Sequence, residues 1–106
     1  MSATSESSAA VTLQLLVDCK LQHDLTDQLL VLNPAVSFQL HEVKSYHQQQ
    51  SLETTSEKVS GYQPKIILNI QTTETFYPEI LAHLKKAVPH TRLYYQVFPC
   101  LAQGIY

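Results

Sequence analysis

The feature that most constrains the fold is a change of hydrophobic period, made twice in the same sense. "VTLQLLV" (residues 11–17) alternates, with Leu13, Leu15 and Val17 on one side and Thr12, Gln14 and Leu16 on the other. Period two marks a strand with one buried face. The next stretch, "LQHDLTDQLLVL", spaces Leu21, Leu25, Leu29 and Leu32 as one stripe of a helix, with His23, Asp24 and Asp27 mainly elsewhere. Asp18 is placed to cap that helix. Asn33-Pro34 stops it, because proline disfavours helical dihedrals in the residue before it.

The same succession then recurs. Val36, Phe38 and Leu40 mark a second strand, and Ile66, Leu68 and Ile70 of "KIILNI" mark a third. A second helix follows, with Thr72, Thr73 or Thr75 as its expected cap. Pro78 falls in its first turn, where a missing N–H does no harm. Ile80, Leu81, Leu84 and Val88 form the stripe, Lys85 and Lys86 suit the negative end of the helix dipole, and Pro89 ends the helix. "RLYYQVF" is the fourth strand, with Leu93, Tyr95 and Val97 on one face. The order βαββαβ predicts a ferredoxin-like α+β sandwich: an antiparallel sheet with both helices on one face. By parity the other sheet face carries Gln14, Leu16, His41, Asn69, Tyr94 and Phe98 among others. That mixture is too apolar for water and too polar for a dry core. It suits a partly wet subunit interface, whereas scattered apolar residues alone would be ordinary monomer surface.

Composition narrows the class. The 106 residues make one domain, expected over residues 11–106, with "MSATSESSAA" (residues 1–10) as a disordered lead-in that has little to bury. Apolar residues at 44% favour a folded chain, and a net charge of −2 without a basic patch argues against nucleic acid as a partner. The apolar runs are too short for membrane insertion, and no basic start precedes an apolar secretory region. Cys19 and Cys100 do not make a disulfide framework, so a cytoplasmic location is expected. Gly61 and Gly104 stand far apart and outside any phosphate-cradling motif.

The second and third strands are separated by a polar run, "SYHQQQSLETTSEKVSG", with no period. Loops of this length in compact domains are usually functional or disordered. The strands that flank it, "SFQLHEVKSYHQQQ" and "PKIILNI", resemble the PII signalling proteins. There the second strand reads like "TVTEVKGFGRQ" and the third opens like "PKVKIEI", on either side of the flexible T-loop. Glu42, Val43, Lys44, Gln49, Pro64, Lys65 and Ile66 stand at matching places, and Tyr46 replaces the motif's aromatic. The resemblance covers residues 11–99, and these two segments carry it.

The resemblance implies a compact homotrimer that binds a small effector in clefts between subunits, near the base of the loop. It implies that the loop regulates a protein partner, often a membrane transporter or an enzyme. The departures are as informative. PII proteins join the second helix to the fourth strand through a glycine-rich nucleotide loop like "TGxIGDGK", and here that connection is only "VPHTRL". ATP binding is therefore not carried over. The loop has no "YRG" tyrosine, and Ser45 and His47 replace the motif's glycines. The chain looks closer to a small bacterial PII-like family often encoded beside heavy-metal efflux pumps. The ending "YYQVFPCLAQGIY" resembles that group's. The CutA proteins of metal tolerance are similar in fold.

Five histidines raise the question of metal. His23 and Asp27 lie one helical turn apart and read as a polar surface pair. His41 and His47 share strand parity, but six steps put them about 20 Å apart, too far to chelate one ion within a chain. Convergence around a three-fold axis makes His41 the candidate for a divalent metal. The plainer reading is a hydrogen-bonded interface histidine. His83 and His90 read as solvated. No nucleophile–base pair or carboxylate dyad stands out, so no enzyme is expected. Lys44, His47, Gln49 and Arg92 are the expected ligand-binding groups, as hydrogen-bond donors at the loop base or facing strand, with His47 also able to bind a metal. Within the loop of residues 48–61, Gln50, Glu53, Glu57 and Lys58 are the expected partner contacts. The resulting expectation is a PII-like regulatory or sensor protein whose partner is a metal-efflux transporter. The alternative is a dimeric α+β barrel, a small-molecule-binding protein or enzyme, with His41 as general base.

Overall fold

The computed structural model describes residues 8–47 and 61–106. Its elements run β1 (Ala10–Asp18), α1 (Gln22–Leu30), β2 (Ser37–Ser45), β3 (Gln63–Thr73), α2 (Tyr77–Ala87) and β4 (Tyr94–Pro99), with a 3-10 turn (Cys19–Leu21) between β1 and α1. The four strands form one antiparallel sheet in the order β2-β3-β1-β4. This is the ferredoxin-like sandwich that the two period changes predict.

The alternation in β1 is followed residue by residue in burial: Val11, Leu13, Leu15 and Val17 are buried and the residues between them half-buried. Ile66, Leu68 and Ile70 of β3 do the same. Onto this face pack Leu25 and Leu29 of α1 and Ile80 and Leu84 of α2. The helices touch each other above the sheet. Phe38, Leu40, Leu93 and Val97 border the cluster from the two edges.

Several local expectations shift. Asp18 does cap, accepting the Lys20 N–H at 2.9 Å, but it caps the 3-10 turn, and α1 begins a turn later. Thr73 is the threonine that serves α2: its hydroxyl accepts the Phe76 N–H at 3.2 Å, just ahead of the helix. Tyr95 shares parity with Val97 yet is exposed, because β4 is an edge strand that the helices do not fully cover. His83 is half-buried rather than solvated, and its Nε2 is buried with no hydrogen-bond partner among the described residues. Ser8 and Ala9 are held to the end of β3, the Ala9 carbonyl accepting the Glu74 N–H at 2.9 Å and the Ser8 hydroxyl meeting that of Thr75 at 2.8 Å. Among the described residues no helix is long and apolar enough to cross a membrane.

Candidate functional site

Strand register builds the site. β2 and β3 are the two strands joined through residues 46–62, and their last rungs are Glu42↔Ile66, Val43↔Lys65, Lys44↔Pro64 and Ser45↔Gln63. Pro64, which has no N–H to give, sits just where the strands leave the sheet. On its far side β3 has already lost β1, whose pairing ends at Asp18↔Lys65. The sheet is therefore at its thinnest here. A cleft of about 380 Å³ opens, lined by Cys19, Glu42, Val43, Lys44, Tyr62, Pro64 and Lys65.

The cleft has a defined polar geometry. The Lys44 ammonium lies 5.2 Å from the centre of the Tyr62 ring. Tyr46 and Tyr62 approach with ring centroids 5.7 Å apart and planes tilted by 47°. Each contact is worth roughly 0.5–1 kcal/mol at a surface. Together they clasp the two roots of the connecting segment across the strand ends. Two ammonium groups, one carboxylate, a thiol and a phenol ring surround the space. That set suits a small anion with an apolar or planar part.

Of the expected ligand groups, Lys44 lines the cleft. His47 is exposed, two residues beyond the end of β2. Arg92 precedes β4 at the same end of the sheet, but three inter-strand spacings, about 14 Å, separate β4 from β2. One chain therefore does not bring Arg92 to Lys44. Gln49, Gln50, Glu53, Glu57 and Lys58 lie outside the described residues. Tyr62 and Cys19 were not singled out by spacing or pattern. The only signal in sequence was their position flanking strand ends, and its meaning depends on a register that sequence does not supply.

The open sheet face is ordered in rows. Gln39, Asn69, Gln14 and Gln96 lie side by side across all four strands, and the next row is His41, Ile67, Leu16 and Tyr94. Gln14 Nε2 donates to Asn69 Oδ1 at 3.0 Å, and Gln71 Nε2 to Gln39 Oε1 at 3.1 Å. His41 is exposed at the β2 edge of this face. Among the described residues no three His, Cys, Asp or Glu side chains gather to hold a metal ion. Cys19 and Cys100 are free thiols at opposite ends of β1, the second bonded through its N–H to the Ala10 carbonyl at 3.1 Å.

Fold and loop-base cleft together define a PII-like α+β domain. The chain belongs to the DUF3240 family of proteins of unknown function, whose model matches residues 7–106. A DUF3240 family protein from Shewanella baltica OS155 has a similar crystal structure, with a TM-score of 0.75, 18% identity and coverage of 93% of this chain and 98% of that one. Arabidopsis thaliana PII, solved bound to citrate, is similar at a TM-score of 0.64 and 9% identity, covering 94% of this chain and 85% of that one. A Bacillus cereus protein related to NIF3 matches at a TM-score of 0.67 and 11% identity, but 92% of this chain covers only 27% of that one. At such identities these likenesses concern the fold. A search of the curated proteins finds no match.

Proposed function

We propose that the protein is a trimeric PII-like regulator or sensor, not an enzyme, that binds a small effector at the loop-base cleft and signals through residues 48–61. The observation that carries this reading is the position of the cleft. Its walls are the two roots of the connecting segment, so a ligand between Lys44, Tyr62 and Lys65 acts directly on the path of that segment. A ligand shifts a conformational equilibrium by its differential affinity for the two states. A neighbouring copy supplies the wall that one chain leaves open, with Arg92 as its cation.

The effector is a small carboxylate or a divalent metal. The citrate bound by the Arabidopsis protein makes a tricarboxylate a sensible first probe. The short 88–93 connection, closed by a turn in which Thr91 N–H meets the Val88 carbonyl at 3.0 Å, argues against ATP. The partner is a membrane transporter, of the metal-efflux kind that the sequence resemblance implies, and the location is cytoplasmic.

Calorimetric titration of the whole chain with citrate, divalent metal ions and ATP tests this. Saturable binding of citrate, weakened about tenfold in Lys44→Ala, or of a divalent metal, which that substitution does not weaken, is the expected result. Tight ATP binding would overturn the reading of the 88–93 connection. Absence of heat with every probe would remove the effector site.

A further inference from the structure

Tyr62 touches both a cation and an aromatic ring, and each contact crosses from one root of the connecting segment to the other. The last rungs of the β2–β3 ladder are Lys44↔Pro64 and Ser45↔Gln63. Just beyond them Tyr46 meets Tyr62, with ring centroids 5.7 Å apart. Lys44 stands two residues before Tyr46, and successive strand residues alternate faces, so it shares the face of Tyr46. Its ammonium lies over the Tyr62 ring, 5.2 Å from the centre. Tyr62 is half-buried, whereas Lys44 and Tyr46 are exposed. Both Lys44 and Tyr62 line the cleft.

The cation of the cleft is thus already engaged in the free chain. An aromatic face attracts an ammonium through its quadrupole but gives its N–H donors no lone pair. A carboxylate supplies charge and lone pairs together, and such charge-assisted hydrogen bonds are the stronger kind. The ring cannot share the cation with it on equal terms. Its face carries the negative end of the quadrupole, so it repels an anion drawn to the same ammonium. An anion that neutralises Lys44 also removes the charge that held the ammonium to the ring.

We infer that Tyr62 sets the affinity of the cleft as an internal competitor: a carboxylate binds by taking the Lys44 ammonium off the Tyr62 ring. The inference rests on the effector reading above and adds the residue that opposes the ligand. It also ties occupancy to the segment's roots, because the cation of β2 leaves the ring that enters β3. A ligand that binds better to the parted state shifts the chain toward it.

Proton NMR of the whole chain reads the contact directly. In the free protein the Tyr62 ring current is expected to move the Lys44 ε-methylene protons upfield of the other lysines, an assignment made by their loss in Lys44→Arg. Citrate is expected to return them to the ordinary lysine position, and sodium chloride at matched ionic strength to leave them upfield. Calorimetry supplies the affinities. Tyr62→Leu is expected to bind citrate about two- to fivefold more tightly than the unaltered chain, and Tyr62→Phe, which keeps the ring, within about twofold of it. Circular dichroism checks that both variants fold; if Tyr62→Leu does not, the NMR shift of the unaltered chain decides. Weaker citrate binding in a folded Tyr62→Leu would make the ring a wall of the site and overturn the inference. Lys44 protons that are not upfield in the free chain, or that citrate leaves there, overturn it too. Each of these results leaves the effector reading standing. No citrate binding in any of these chains overturns the inference, and if divalent metals also give no heat the effector reading falls with it.

Discussion

Lys44 and Glu42 stand two residues apart on β2 and both line the cleft, with opposite charges. For an anionic effector they therefore pull in opposite directions. Glu42→Gln is expected to tighten citrate binding several-fold in the same calorimetric titration that shows Lys44→Ala to weaken it. Weakening by Glu42→Gln together with tightening by Lys44→Ala would point instead to a cation held by the carboxylate. Leu68 illustrates a residue whose role is only structural. It is fully buried in the middle of β3, against the core cluster of both helices. Leu68→Ala is expected to cost about 2–5 kcal/mol, read as a fall in urea midpoint at constant slope.

At the scale of elements, the entry to β3 depends on a left-handed glycine. Gly61 has φ +78, and a Cβ added there would meet nothing within 4 Å. Space is thus not the obstacle to a side chain; the left-handed backbone is. Gly61→Ala is expected to destabilise by about 1–2 kcal/mol in chemical denaturation, and Gly61→Asn by less, since asparagine tolerates that conformation better. Helix boundaries obeyed local chemistry only in part. Asp18 and Thr73 were legible as caps, but each serves a turn ahead of its helix. Capping spacing fixes that a turn begins, and packing decides when the helix does.

For the whole molecule, the assembly is the decisive question. The open sheet face sets a row of four amides beside a row holding Leu16, Ile67 and Tyr94, and the described chain covers neither. Light scattering across a concentration series is expected to give a mass near three times the 12.0 kDa chain. A dimer would favour the barrel-like alternative, in which two such faces close on each other. Arg92 belongs to this scale as well, since the single chain does not bring it to the cleft and the proposed trimer would.

The sequence by itself determined the order of elements, the core face of each and the place where the sheet is interrupted. These follow from period and punctuation, which are local: Leu13, Leu15, Ile66, Leu68, Ile70, Ile80 and Leu84 are all buried as their spacing requires. The place of Lys44 at the end of β2, where it lines the cleft, was legible too, through the resemblance to the PII strand ends. What only the tertiary structure decided is the company those residues keep. Tyr62 over Lys44, Cys19 across from both, and the amide row through Gln14 and Asn69 depend on strand register and sheet order. A one-residue slip of a strand would carry its own side chains to the opposite face. Register is set by the sum of long-range pairings, and no local stretch of the chain contains it.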